Sequence, residues 1–135
     1  MVSVTRSIDL EAIRRACTDY IESWLDGDVE RARRCLHPQL AKRRVKDAGG
    51  TLHEVPTEDM LADAASGPKQ GLGRDHEIAI LDVARDVATA RVLSEPFVDY
   101  LHLARVGDRW VIVNAIYEWR REDLRERLSR PSSRG

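Results

Sequence analysis

The sequence has no apolar run approaching the ~18–20 residues that span a bilayer. Its first residues, Met1 to Arg6, lack the basic-then-apolar order of a secretory signal. The expectation is a cytoplasmic protein with no membrane partner. There is no excess charge of one sign: 22 Lys and Arg stand against 23 Asp and Glu, a formal net charge of -1. Nothing in that balance points to nucleic acid. Cysteine is scarce, with only Cys17 and Cys35. Both fall on or near the apolar faces of neighbouring helical segments, which reads as two reduced, buried thiols. No other Cys or His stands at ligand spacing from either, so no metal is expected. Gly71 and Gly73 lack the rest of any phosphate fingerprint, so no nucleotide loop and no cofactor is expected. No internal repeat is visible.

What is present fits one domain. The chain has 135 residues, 42% hydrophobic and 33% charged, enough for a single core. From Ile8 to Asp26 the apolar residues recur at helical spacing. Gly27 supplies the stop and Asp28 the N-cap of a second helix, which ends at His37-Pro38. Leu40 to Val45 reads as an edge strand or extended arm. Its basic run, Lys42-Arg43-Arg44-x-Lys46, reads as a solvated edge that blocks strand pairing. A brief extended piece, Thr51 to Val55, precedes a third helix capped by Thr57. Ser66 to Gly73 is a loop. The rest is a β-meander: Glu77–Ala84, Val87–Ser94, Phe97–Val106 and Arg109–Trp119. Helices followed by a meander indicate an α+β fold. The domain is expected to end near residue 122, with 123–135 a charged tail that begins as a frayed helix and then becomes disordered.

The last hairpin carries the functional argument. A two-residue turn at Gly107-Asp108 pairs Val106 with Arg109 and Leu103 with Ile112. Carried outward, it sets Leu101 opposite Asn114 and Asp99 opposite Ile116. One face then shows Phe97, Asp99, Leu101, Leu103, Trp110, Ile112, Asn114 and Ile116, with Asp99 and Asn114 as its polar interruptions. The helices are expected to cover that face. The other face, from Val98, Tyr100 and His102 to Val113, Ala115 and Tyr117, is also largely apolar. A patch of that kind suits a homodimer packed sheet against sheet.

Three helices and a meander ending in Gly-x-x-Trp-x-Ile-x-Asn resemble the nuclear transport factor 2-like superfamily (SnoaL-like, or cystatin-like cone). Tyr20 to Asp28, Leu36-His37-Pro38, Phe97 to Leu103 and Gly107 to Asn114 carry the resemblance, which spans roughly residues 8 to 120. Within the superfamily the chain looks most like the lumazine-binding branch. The resemblance implies three N-terminal helices on a curved, mainly antiparallel sheet that encloses a pocket. In the ketosteroid isomerase branch, a first-helix tyrosine and a meander-strand aspartic acid form an oxyanion hole. Aligning on Gly27-Asp28 and Gly107 puts Tyr20 and Asp99 at those positions. Burial among Leu, Ile and Phe raises a carboxyl pKa, so a neutral Asp99 and Tyr20 could both donate to a ligand oxygen. The isomerase's carboxylate base aligns with Arg44, which cannot abstract a proton.

Three readings remain open on these residues. The first is a small-molecule binder for a flat, mostly apolar ligand with a carbonyl or phenolate oxygen. Tyr20, Asp99 and Asn114 would orient that ligand, and Trp24 and Trp110 would line the pocket rather than serve only as core. The second is an isomerase, dehydratase or cyclase in which His37, otherwise a turn residue, acts as base. The third is an interaction module whose cone is filled by its own side chains.

Overall fold

In the computed structural model, residues 4–129 are described. Helix α1 (Val4–Asp26) and the short α2 (Val29–Cys35) lead directly into β1 (Leu36–Val45) and β2 (Leu52–Glu54). Helix α3 (Thr57–Ala65) follows, then the meander β3 (Glu77–Ala84), β4 (Val87–Leu93), β5 (Phe97–Val106) and β6 (Arg109–Trp119), and last α4 (Glu122–Ser129). The six strands form one sheet in the order β2-β1-β6-β5-β4-β3. Every pairing is antiparallel except β1 with β6. The fold class is therefore α+β, as expected, with four helices in the described residues.

Helix α1 lies on the sheet because Ile13, Ala16, Cys17, Tyr20, Ile21 and Leu25 form one buried stripe against Val92, Leu101, Leu103 and Ile112. Gly27 ends it at φ 70, and a Cβ there would stand 2.5 Å from the Gly67 carbonyl carbon. That close approach lets the Lys69 N–H donate to Leu25 O at 2.9 Å, which fixes the loop after α3 against the end of α1. Asp28 accepts from Arg31 N and caps α2, as its sequence position suggested. Thr57 does not cap α3. Pro56 holds the cap position, and the Thr57 hydroxyl donates to His37 O at 3.0 Å, tying α3 to β1.

Three further expectations are corrected. The final hairpin keeps its predicted register only as far as Leu103↔Ile112. Beyond it Val113 bulges out, and the pairs become His102↔Asn114, Leu101↔Ala115, Tyr100↔Ile116 and Asp99↔Tyr117. One extra residue reverses the facing of every later side chain. Ala115 and Tyr117 thus join the inner face, while Asn114 and Ile116 move to the outer one. Second, the basic run is not on an edge: β1 pairs on both sides, with β6 and with β2. Third, the helix expected beyond residue 122 is present as far as Ser129, and it packs on the domain through the buried Leu124 rather than lying outside it. The disorder expected at the very end falls on residues 130–135, outside the described ones.

Candidate functional site

Between α1, α3, α4 and the inner face of β1, β5 and β6 lies a cavity of about 510 Å³, within the ~300–1,000 Å³ range usual for small-molecule sites. Its floor is the pair Tyr20 and Asp99. The Tyr20 hydroxyl donates to Asp99 Oδ1 at 2.8 Å, across 79 residues of sequence. Asp99 is 1% exposed and Tyr20 is 5% exposed. Burial pushes the Asp99 carboxyl up from its ordinary value of 3.8, against the opposing pull of Lys42 and the Tyr20 bond. Burial, and then the neighbouring carboxylate, pushes the Tyr20 hydroxyl well above 10.0. With the Tyr20 O–H committed to Oδ1, an Asp99 held toward its neutral form keeps one O–H of its own to donate to an incoming oxygen.

One wall is aromatic. Phe97 stacks edge-on against Trp24 at 5.2 Å and Tyr117 at 5.5 Å, and tilts on Trp119 at 4.5 Å. These rings give a flat molecule apolar area with little loss of rotamer freedom. Trp24 Nε1 donates to Asp63 Oδ2 at 2.6 Å, and the Lys69 ammonium lies 5.0 Å over the Trp24 ring and 3.6 Å from Asp63. Trp119 Nε1 is buried and has no hydrogen-bond partner among the described residues.

The opposite side is basic. Leu40, Lys42 and Arg44 alternate on β1, so the two cations share the face of a buried core leucine. The Lys42 ammonium sits 5.0 Å over the Tyr20 ring and 4.7 Å over the Tyr117 ring. Burial lowers its pKa from 10.5, while Asp99 and Asp63 work the other way. Arg44 lies by Tyr117, whose hydroxyl burial pushes up and the guanidinium pulls down. Lys46 and His53 complete the mouth.

Of the residues singled out from the sequence, the cavity gathers Tyr20, Trp24 and Asp99. The other three lie elsewhere. Asn114 is turned to the outer face by the Val113 bulge, where its Nδ2 meets His102 Nδ1 at 3.1 Å. Trp110 is buried at the other end of the inner face, its Nε1 donating to Asp9 Oδ1 at 3.2 Å. His37 accepts from the Gln39 N–H at 2.9 Å and lines a separate groove with Pro38, Leu61 and Val111. It has no place beside the Tyr20–Asp99 pair from which to act as a base. Lys42, Tyr117, Trp119 and His53 were not singled out. For Lys42 the signal was present: counting by two from the apolar Leu40 puts Lys42 and Arg44 on one face.

Helices cradled by a curved sheet with β1 parallel to β6, enclosing one end of the cone, define a nuclear transport factor 2-like protein. The chain belongs to the family described as "Putative lumazine-binding", which matches residues 8–118. Among solved structures it is similar to an NTF2-like protein of unknown function from Silicibacter pomeroyi. Identity there is 19%, coverage is 84% of this chain and 98% of that one, and the TM-score is 0.73. A second NTF2-like protein of unknown function, from Shewanella baltica, shares 20% identity over 89% of this chain and 100% of its own, with a TM-score of 0.71. The association domain of CaMKII from C. elegans shares 13% identity over 86% of this chain and 99% of its own, with a TM-score of 0.59. These likenesses establish the fold alone. No curated protein matches the chain.

Proposed function

We propose that the protein binds a small molecule in the cone, a flat and mostly apolar ligand whose carbonyl or phenolate oxygen rests on Tyr20 and Asp99. The observation that carries this reading is the buried Tyr20–Asp99 pair on the floor of a cavity of about 510 Å³. A carboxyl buried among apolar groups lowers stability, and a ligand oxygen can accept from the neutral carboxyl directly and from the phenol in exchange for its bond to Asp99. The aromatic wall supports it, as does the family's description. A cone filled by its own side chains, the third reading above, needs the space beside Asp99 that the cavity occupies.

A thermal-shift panel of planar ligands on wild type and Asp99→Asn tests the proposal. The panel comprises lumazine and pterin types, flavins, steroids and aromatic polyketides. A ligand at 100 times its Kd adds about 2.7 kcal/mol, a rise of several degrees in Tm that Asp99→Asn should diminish. No shift with any class, with the cavity open to solvent, would remove the reading.

An isomerase-, dehydratase- or cyclase-type enzyme is the second reading. His53, the imidazole that lines this cavity, is the observation that favours it. Turnover of a planar enolisable ligand that survives His53→Gln would exclude that base. We further infer a cytoplasmic homodimer joined through the outer sheet face. Support comes from two buried free thiols, Cys17 and Cys35, and from Tyr100 and Ile116, exposed at 45% and 48% as a cross-strand pair on that face. Sedimentation of Ile116→Lys at half the wild-type mass would support the dimer; a wild-type monomer would refute it.

A further inference from the structure

The charged groups nearest the Tyr20–Asp99 floor differ in how they are occupied. Asp63 accepts from Trp24 and pairs with Lys69, and Asp99 accepts from Tyr20. Lys42 has only the faces of Tyr20 and Tyr117, with no carboxylate in ion-pair reach among the described residues. Arg44 bonds the Val45 carbonyl oxygen at 3.4 Å and lies by the Tyr117 hydroxyl, again with no carboxylate. Both cations point inward from alternate positions of one strand, so their backbones stand about 7 Å apart. A partly buried cation without a counter-ion carries a desolvation cost, and two ring faces offset only part of it.

We propose that the ligand is a planar acid, a flat ring system bearing a carboxylate, and that Lys42 and Arg44 hold that carboxylate while the Trp24–Phe97–Trp119 wall covers the ring. The inference rests on the reading of the cone as a small-molecule site. The arginine fork matches the two oxygens of a carboxylate, and the lysine supplies a second charge at short range. The groups facing Lys42 are Tyr20 from α1, Asp63 from α3, Asp99 from β5, Tyr117 from β6 and Arg44 from its own strand. Burial drives both Lys42 and Asp99 toward their neutral forms. An arriving anion opposes the effect of burial at Lys42 and adds to it at Asp99, so each gains affinity for a proton and binding takes protons up.

The test is calorimetry on matched acid and amide pairs: benzoate and benzamide, 2-naphthoate and 2-naphthamide, pterin-6-carboxylate and its amide. The expected result is at least one acid binding about 10-fold or more tightly than its amide. Its enthalpy should vary with the buffer's ionisation heat in the sense of proton uptake. Lys42→Met and Arg44→Gln should each abolish the preference, and Lys42→Arg should retain it. If Lys42→Met fails to fold, Arg44→Gln and Lys42→Arg carry the comparison. Acids and amides binding alike, or neutral ligands of the first panel binding while no acid does, would overturn the carboxylate inference and leave the cavity reading standing. Binding by no member of either set would overturn both.

Discussion

The two ends of the inner sheet face are built from the same kinds of residue and used differently. At one end Trp110 is closed in: its Nε1 bonds Asp9, Arg105 stacks on its ring at 5.6 Å, and Arg105 reaches both Asp9 at 3.0 Å and Asp86 at 2.8 Å. Each side chain in that cluster has its counterpart, and the ion pairs tie α1 to β5 and to the β3–β4 turn. At the other end the Tyr20–Asp99 pair is satisfied, yet Lys42, Arg44 and the Trp119 indole N–H are left without the partners they suit. Stability is stored where groups complete one another, and binding capacity where they do not. The same strands, β5 and β6, supply both ends, so the difference comes from a few side chains and from the bulge between them.

Mutations that act on one end and spare the other sharpen this contrast. The largest effect is expected at the closed end. Trp110→Ala should cost about 3–5 kcal/mol in urea unfolding, and a variant that still folds should keep its ligand affinity. A loss of affinity at unchanged stability would break the comparison. At the open end the sign reverses. Lys42→Met removes a half-buried, unmatched cation and should stabilise the ligand-free protein by about 1 kcal/mol, read as a rise in urea midpoint. A fall of similar size would mean that Lys42 is a structural counter-ion.

The pH dependence follows from the same groups. The folded-state pKa of Asp99 lies above its unfolded value of 3.8, so between the two the native state binds more protons. Stability is lost as pH rises from about 3.8 through the folded value. Asp99→Asn, which can still accept from Tyr20, should therefore equal wild type near pH 3 and exceed it increasingly at higher pH. For Lys42 the folded pKa lies below 10.5, so wild-type stability should climb as pH rises toward 10.5, and Lys42→Met should lack that climb. The smallest effect belongs to His37. His37→Gln should cost about 0.5–1 kcal/mol for its bond to Gln39 and leave ligand affinity within twofold, because it faces a different groove.

Much of this fold was legible from local pattern. The helix α1, the cap at Asp28, the four meander strands and the start of the last hairpin follow from periodicity and turn residues. Tyr20 and Asp99 were reached through the family resemblance, and their contact, 79 residues apart in the chain, is where that alignment led. What escaped was non-local or a matter of one residue. The parallel pairing of β1 with β6 has no local signature, so Lys42 was taken for solvated edge. The bulge at Val113 is a valine in a run of apolar residues, indistinguishable by composition from its neighbours, and it exchanged Asn114 for Tyr117 on the inner face. Trp110 was placed on the correct face, but only the position of Asp9 on α1 shows that it closes the far end rather than the cavity.

The three indole N–H groups of Trp24, Trp110 and Trp119 report on both ends at once, so a 15N spectrum of the wild-type protein titrated with the best ligand of the panel is the most direct test. The contrast between the ends predicts that the Trp119 and Trp24 indole signals move in proportion to occupancy while the Trp110 signal, held by Asp9, stays in place. Movement of Trp110 with Trp24 and Trp119 unmoved would contradict it.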